Sequence, residues 1–454
     1  MILYADKVLF STGWANEQSL IIEDGVITDI QPGFIPGAER AGGPVIPGMV
    51  NCHSHAFQRA FAGFSEQGSE GQDSFWTWRK IMYKFLGQLT AKDAEVIATQ
   101  LYIEMIKAGY TRVAEFHYLH HDIDGGNYPK LSSMAEAIFK AAENSGLGLT
   151  LLPVLYRFSG FGEQAPNEGQ KRFINSVDQF NQLVSDCFAL SKEYPNTNVG
   201  IAPHSLRAVD KASLLEAVEH VRSLDKTAPV HIHIAEQQHE VNDCLAHYGQ
   251  RPVQWLLENA ELDKHWCLIH ATHIDEKERQ GMIASQAIAG ICPTTEANLG
   301  DGIFPTTEFL QEQGTFAIGS DSHISVNPVE ELRWLEYAQR LIKQQRAILA
   351  DNSQPSVGLN LWQKAAQGGA QSTATNTGEL AVGKQADLLV LDTKSTGLFA
   401  HSEQHLIDSL VFASQQNTVQ DVMIKGQWVV RNKEHDMEGQ AAESFAALLK
   451  RLSA

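Results

Sequence analysis

Residues 46–63 read IPGMVNCHSHAFQRAFAG. An apolar run leads directly into two histidines one residue apart, His53 and His55. A short apolar run bounded by turn residues reads as a buried strand. Seven further runs share this texture: 111–116 (TRVAEF), 149–156 (LTLLPVLY), 198–204 (NVGIAPH), 229–235 (PVHIHIA), 267–271 (CLIHA), 287–292 (AIAGIC) and 315–321 (TFAIGSD). Between them lie stretches such as 91–109 and 328–349, with apolar positions every three or four residues, the period of an amphipathic helix. Eight short strands, most followed by a helix, predict an α/β fold of the (β/α)8 TIM-type barrel class. A doubly wound open sheet is the alternative, but no G-x-G-x-x-G follows the first strand.

The flanks have a different texture. Residues 1–10 and 19–33 read as strands, with a hairpin turn at Asp24-Gly25. Strand-like runs return at 383–392 and 419–432, and the last residues, GQAAESFAALLKRLSA, read as a helix. The expected organisation is a barrel over 46–378, with 1–45 and 379–454 pairing into one small β-sandwich.

The chain has 454 residues, 43% of them apolar and 20% charged, which suits a globular protein with a large core. Its formal net charge of −19 argues against a nucleic-acid or anionic-membrane binder, since either needs a basic face. The five cysteines are scattered, with no C-x-x-C pair, so a reduced intracellular protein is expected. Neither a signal peptide nor an 18-residue apolar span is evident.

In a barrel, chemistry sits at the C-terminal ends of the strands. Strand one ends in His53 and His55. Strand five carries His231 and His233, then Glu236. Strand six ends in His270 and strand eight in Asp321. Alternation puts Asn51, His53 and His55 on one side and Cys52 and Ser54 on the other. Two imidazoles on one side can reach one ion, and zinc accepts imidazole nitrogen and carboxylate oxygen at about 2.0–2.2 Å. Each piece alone has a plain alternative, such as Asp321 capping the next helix. Four strand ends converging in chain order read as a metal site. His231 and His233 share a face, so alternation leaves open which is the ligand.

The order His-x-His, His-x-x-Glu, His and Ser-Asp resembles the amidohydrolase superfamily in its deaminase-like branch. PGMVNCHSH and GKQADLLVLD are similar to that superfamily's entry and exit segments. HSHAFQRAFAG, DSFWTWRKIMY, APHSLRAV, HIHIAEQ, LIHATHID and GSDSHISV resemble its deiminases of N-formimino-L-glutamate, in a match that runs from about residue 46 to 323. The resemblance implies zinc held by His53, His55, His233 and Asp321. It selects His233 because Glu236 follows three residues later, and leaves His231 as a hydrogen-bonded interior residue. Binuclear relatives carry a lysine at the end of strand four. APHSLR has none, so one metal ion is implied. Iron or manganese also suits such donors.

The resemblance further implies that Asp321 takes the proton of the attacking water and that Glu236 carries one to the substrate nitrogen. His270 hydrogen-bonds the water or the tetrahedral centre. Gln58, Arg79, Tyr118, His204 and Arg207 contact substrate. An arginine fork grips a carboxylate at two points, so two arginines suit a dicarboxylate. Arg59 is read as structural, and Phe75, Trp76 and Trp78 as packing in a loop over the site. The implied reaction converts N-formimino-L-glutamate and water to N-formyl-L-glutamate and ammonia in histidine degradation, in a cytoplasmic homodimer. Two alternatives stand beside it: deamination of a heterocyclic base such as guanine or cytosine, and a metal-free barrel scaffold.

Overall fold

The apolar run at 46 divides between two sheets. In the computed structural model, which describes residues 1–64, 66, 82–399 and 402–452, Val45–Pro47 joins the small terminal sheet and Met49–Ser54 is the first barrel strand. The barrel continues with Tyr110–His117, Gly148–Leu155, the pair Thr197–Val199 and Ala202–Pro203, Val230–Ile234, Trp266–His270, Ile288–Ile291 and Phe316–Ile318. Neighbouring strands pair in parallel. Single bridges, Ile201 to Val230 and Ser205 to His233, close the ring between strands four and five. The predicted (β/α)8 barrel is therefore the observed architecture.

Helices cover the outside, and local sequence explains their ends. Ala91–Ala108 starts with a reciprocal capping box between Thr90 and Asp93 and stops at Gly109, which has φ 111°. The helix expected over 328–349 runs only from Pro328 to Lys343. Buried Glu336 accepts the backbone N–H groups of Ile348 and Leu349, both at 3.0 Å, so the chain folds back on its own helix.

The alternation expected at 51–55 does not hold. Strand one pairs Asn51 with Val113 but Ser54 with Glu115, so it carries an extra residue. Such a bulge redirects side chains. Cys52 packs with Cys267, Ile269, Ile288 and Ala317. The register aligns Cys267 with His231 and Ile269 with His233, so Cys52 shares the interior face with them. Asn51 turns instead to Ser320 Oγ (2.6 Å) and to Met105 on the outer helix (3.6 Å).

Helix Val357–Ser372 packs against strands one and eight through glycine. A Cβ added at Gly368 would lie 1.9 Å from the Phe316 carbonyl oxygen. Neither backbone can yield cheaply, so Gly368→Ala is expected to destabilise the fold by about 3 kcal/mol. A denaturant titration reads this directly; an unchanged midpoint would mean that the helix does not approach so closely.

The two ends of the chain share one sheet. Its strand order is Gln427–Val430, Val419–Ile424, Leu388–Leu391, Val45–Pro47, Ile2–Phe10, Gly13–Glu23 and Val26–Pro32. Asp24 and Gly25, at φ 49° and 80°, form the expected hairpin turn. The final helix, Glu438–Leu452, lies on Ala91–Ala108 through Arg451–Asp93 (2.6 Å) and Lys107–Glu438 ion pairs. Among the described residues no helix is long and apolar enough to cross a membrane.

Candidate metal centre and substrate cavity

His53 and His55 leave strand one at its bulged end, His233 stands on strand five, and Asp321 follows strand eight. All four are buried. Backbone hydrogen bonds lock the ends of strands one and eight together: Asp321 N–H to His53 O (3.0 Å) and His55 N–H to Asp321 O (3.2 Å). Nε2 of His53 is 3.0 Å from Nε2 of His233 and 3.3 Å from Asp321 Oδ1. That same oxygen is 3.2 Å from His55 Nε2.

These atoms fit a cation. His55 Nδ1 donates to the Phe116 carbonyl (2.9 Å) and His233 Nδ1 to the His204 carbonyl (3.1 Å). The other nitrogen of each neutral ring is then a bare acceptor. Burial lowers the pKa of all three histidines, most strongly for His53 and His233, so neutral rings are favoured. An aspartate oxygen against a bare imidazole nitrogen is a repulsive contact that a metal ion would turn into two bonds. Three nitrogens and one oxygen form a donor set that zinc accepts. His231, one layer deeper, bonds through Nε2 to the Ser372 carbonyl (2.7 Å).

His270 ends strand six beside this cluster. Its Nδ1 bonds to Glu296 Oε1 (3.2 Å), and its Nε2 stands 3.9 Å from Glu236 Oε1 and 3.8 Å from Asp321 Oδ2. Burial acts to lower its pKa, but Glu236, the Glu296 hydrogen bond and Asp321 outweigh it and push it up to about 10. Burial also raises Glu236, although neighbouring His270 opposes the shift.

Above these groups opens a cavity. His55, His233, Glu236, His270 and Asp321 line its floor, and Gln58, Tyr118, His204 and Arg207 its walls, with Tyr156 and Phe173 beside them. His53 lies beneath, fully buried. Gln58 Nε2 donates to the Tyr118 hydroxyl (3.0 Å), while its Oε1 has no hydrogen-bond partner among the described residues. Arg207 Nη1 is likewise buried and unpartnered among them. Burial would lower the Arg207 pKa, but Tyr156, Glu240 and Glu236 hold it above its ordinary value, so the guanidinium stays charged. Arg59 turns elsewhere, to Glu104 (2.8 Å) and the His323 carbonyl (3.3 Å). Arg79, Phe75, Trp76 and Trp78 lie outside the described residues.

The backbone is strained where the strands end. Ala235, His270, Ala271, Asp321 and His323 all have positive φ, between 44° and 66°. Each such residue costs about 1–3 kcal/mol, and such strain clusters at functional sites.

Three buried carboxylates support the site without a distinguishing sequence signal. Glu240 accepts the N–H groups of Ala235 and Glu236, both at 3.2 Å, and burial pushes its pKa up to about 7. Glu115 accepts Ser54 Oγ (2.6 Å), Ala56 N–H (2.6 Å) and the Tyr102 hydroxyl (3.1 Å). Glu296 holds His270. The first two stand at a helix start and in a strand, the third on a short helix, where glutamate has no single meaning.

Residues 45–429 match the amidohydrolase family. The chain is 49% identical over 452 residues to the formimidoylglutamate deiminase of Pseudomonas aeruginosa, covering 99% of each. It superposes with a TM-score of 0.94 on the crystal structure of an amidohydrolase from Brucella melitensis, 44% identical over the whole of both chains. An adenosine deaminase from Xanthomonas campestris solved with bound zinc gives a TM-score of 0.81, covering 100% of this chain and 98% of its own. At 21% identity that last likeness is one of fold.

Proposed function

Since the chain belongs to the amidohydrolase family, we propose that it is a zinc-dependent deiminase that hydrolyses N-formimino-L-glutamate to N-formyl-L-glutamate and ammonia in histidine degradation. The observation that carries this reading is the half-buried, charged Arg207, whose buried Nη1 has no hydrogen-bond partner among the described residues, in the same cavity as the candidate metal-binding cluster. A guanidinium with one buried nitrogen still unbonded can turn that edge to a carboxylate, and the substrate has two. The Pseudomonas aeruginosa relative bears the corresponding name.

In this reading His53, His55, His233 and Asp321 hold one zinc ion. When bound, zinc supplies a Lewis acid that lowers the pKa of water toward about 7. Asp321 divides its oxygens: Oδ1 faces His53 and His55, and Oδ2 faces His270. His270 Nε2 orients the attacking water, and Asp321 Oδ2 takes its proton. Glu236 delivers a proton to the terminal amidine nitrogen. The carbon gains oxygen, the C–N bond breaks and ammonia leaves. Arg207 grips one substrate carboxylate, and Arg79 is proposed for the other. Gln58, Tyr118 and His204 orient the amino-acid portion.

Every residue named here falls within 46–378, the proposed catalytic barrel. The net charge of −19 does not attract an anion, so capture depends on the arginines. The reading extends to a cytoplasmic enzyme, because all five cysteines are buried and free. It also extends to a homodimer, on the resemblance alone. Zinc-loaded protein should release ammonia from N-formimino-L-glutamate and none from adenosine or guanine. Comparable turnover of a ring substrate would replace this reading with the heterocyclic one.

A further inference from the structure

His270 has one side-chain hydrogen bond among the described residues, and it points away from the cavity. Nδ1 meets Glu296 Oε1 at 3.2 Å. Nε2, the atom facing the reaction, stands 3.9 Å from Glu236 and 3.8 Å from Asp321, beyond hydrogen-bond reach of either. Histidine χ2 is a broad torsion, so a ring held at one nitrogen owes its direction to that contact. The backbone gives no relaxed alternative: His270 and Ala271 have φ 66° and 47°.

Glu296 is itself fixed. It lies on the short helix Pro293–Leu299 behind strand seven, and the oxygen that meets His270 also accepts the Cys292 N–H at 2.8 Å. Its carbonyl accepts the Asp301 N–H at 3.0 Å, tying the helix to the loop that follows. The carboxylate is buried and lies on the far side of the imidazole from Glu236 and Asp321.

We infer that Glu296 is a positioning residue for the deimination proposed above: it anchors His270 Nδ1 and thereby aims Nε2 into the gap between Glu236 and Asp321. Glu296 touches neither substrate nor metal in this scheme. Its loss should slow turnover while leaving substrate affinity and metal content as they were. Outer hydrogen-bond partners of this kind are typically worth about 10- to 100-fold.

The test is a double-mutant cycle on the zinc-loaded enzyme with N-formimino-L-glutamate. Glu296→Ala should lower kcat by about 100-fold, with KM within about threefold and zinc content unchanged. Glu296→Gln keeps an oxygen for both the imidazole and the Cys292 N–H and should recover kcat to within about tenfold of the parent. In a His270→Ala background, Glu296→Ala should change kcat by less than about twofold, because the group it aims is gone. Equal losses in both backgrounds overturn the inference, as does a glutamine variant no better than alanine. If the alanine variant does not fold, Glu296→Met keeps the volume without the acceptor and carries the same expectations. An inactive parent enzyme overturns the proposed function and this inference together. An active parent with additive losses overturns only the inference.

Discussion

Replacing Glu236 with glutamine should lower kcat by about 10³-fold, with KM within about threefold and the metal retained. Glutamine keeps the size and polarity of the side chain but cannot carry a proton. General acid–base transfer is typically worth about 10²- to 10⁴-fold, and the leaving nitrogen here departs only when protonated. Glu236 is buried at the cavity floor, and burial raises its pKa toward the range in which a carboxyl both takes and gives a proton. It is not among the nitrogen and oxygen atoms that converge on the proposed ion: those belong to His53, His55, His233 and Asp321. Steady-state kinetics with metal analysis on the same preparation checks this. A variant that loses zinc along with activity would place Glu236 in the metal shell instead.

Arg207→Met should cut kcat/KM by about 10³-fold, most of it in KM. Two charge-assisted bonds from one guanidinium, at about 2 kcal/mol each, sum to about 4 kcal/mol, which is about 10³-fold. Methionine preserves much of the side-chain volume beside Tyr156 and removes the fork. The change also leaves Glu240 and Glu236 without their neighbouring cation. A thermal melt should therefore accompany the kinetics, to separate a damaged fold from a lost grip. The same substitution would leave deamination of a purine or pyrimidine nearly untouched, since a ring offers no carboxylate. A variant with parental kcat/KM for N-formimino-L-glutamate would remove the main reason for assigning this substrate.

What could be read from the sequence followed the periodicities. Eight short apolar runs, most followed by a helical stretch, announced the barrel, because parallel strands are buried on both faces and need continuous apolar stretches. The convergence of His53, His55, His270 and Asp321 with a strand-five histidine was visible because barrel topology brings strand ends together whatever lies between, while the choice of His233 over His231 came from the family resemblance. The bulge at Asn51–Ser54 was not visible, since one extra residue leaves no mark in composition, and it reverses the expected directions of Asn51 and Cys52. The stop at Lys343 was equally hidden: local periodicity favours helix through Leu349, and a tertiary contact with Glu336 overrides it. Glu240 and Glu296 were missed for a related reason. Each works by what it touches, Ala235 and Glu236 in one case and His270 in the other, and those contacts exist only once the barrel has closed.

The most direct test follows the oxygen atom. Zinc-loaded protein turning over N-formimino-L-glutamate in H₂¹⁸O should give one ammonia per N-formyl-L-glutamate, with a single ¹⁸O in the formyl group, as water attack on the amidine carbon requires. Absence of ammonia above background, or a formyl product without the label, would contradict the proposed chemistry.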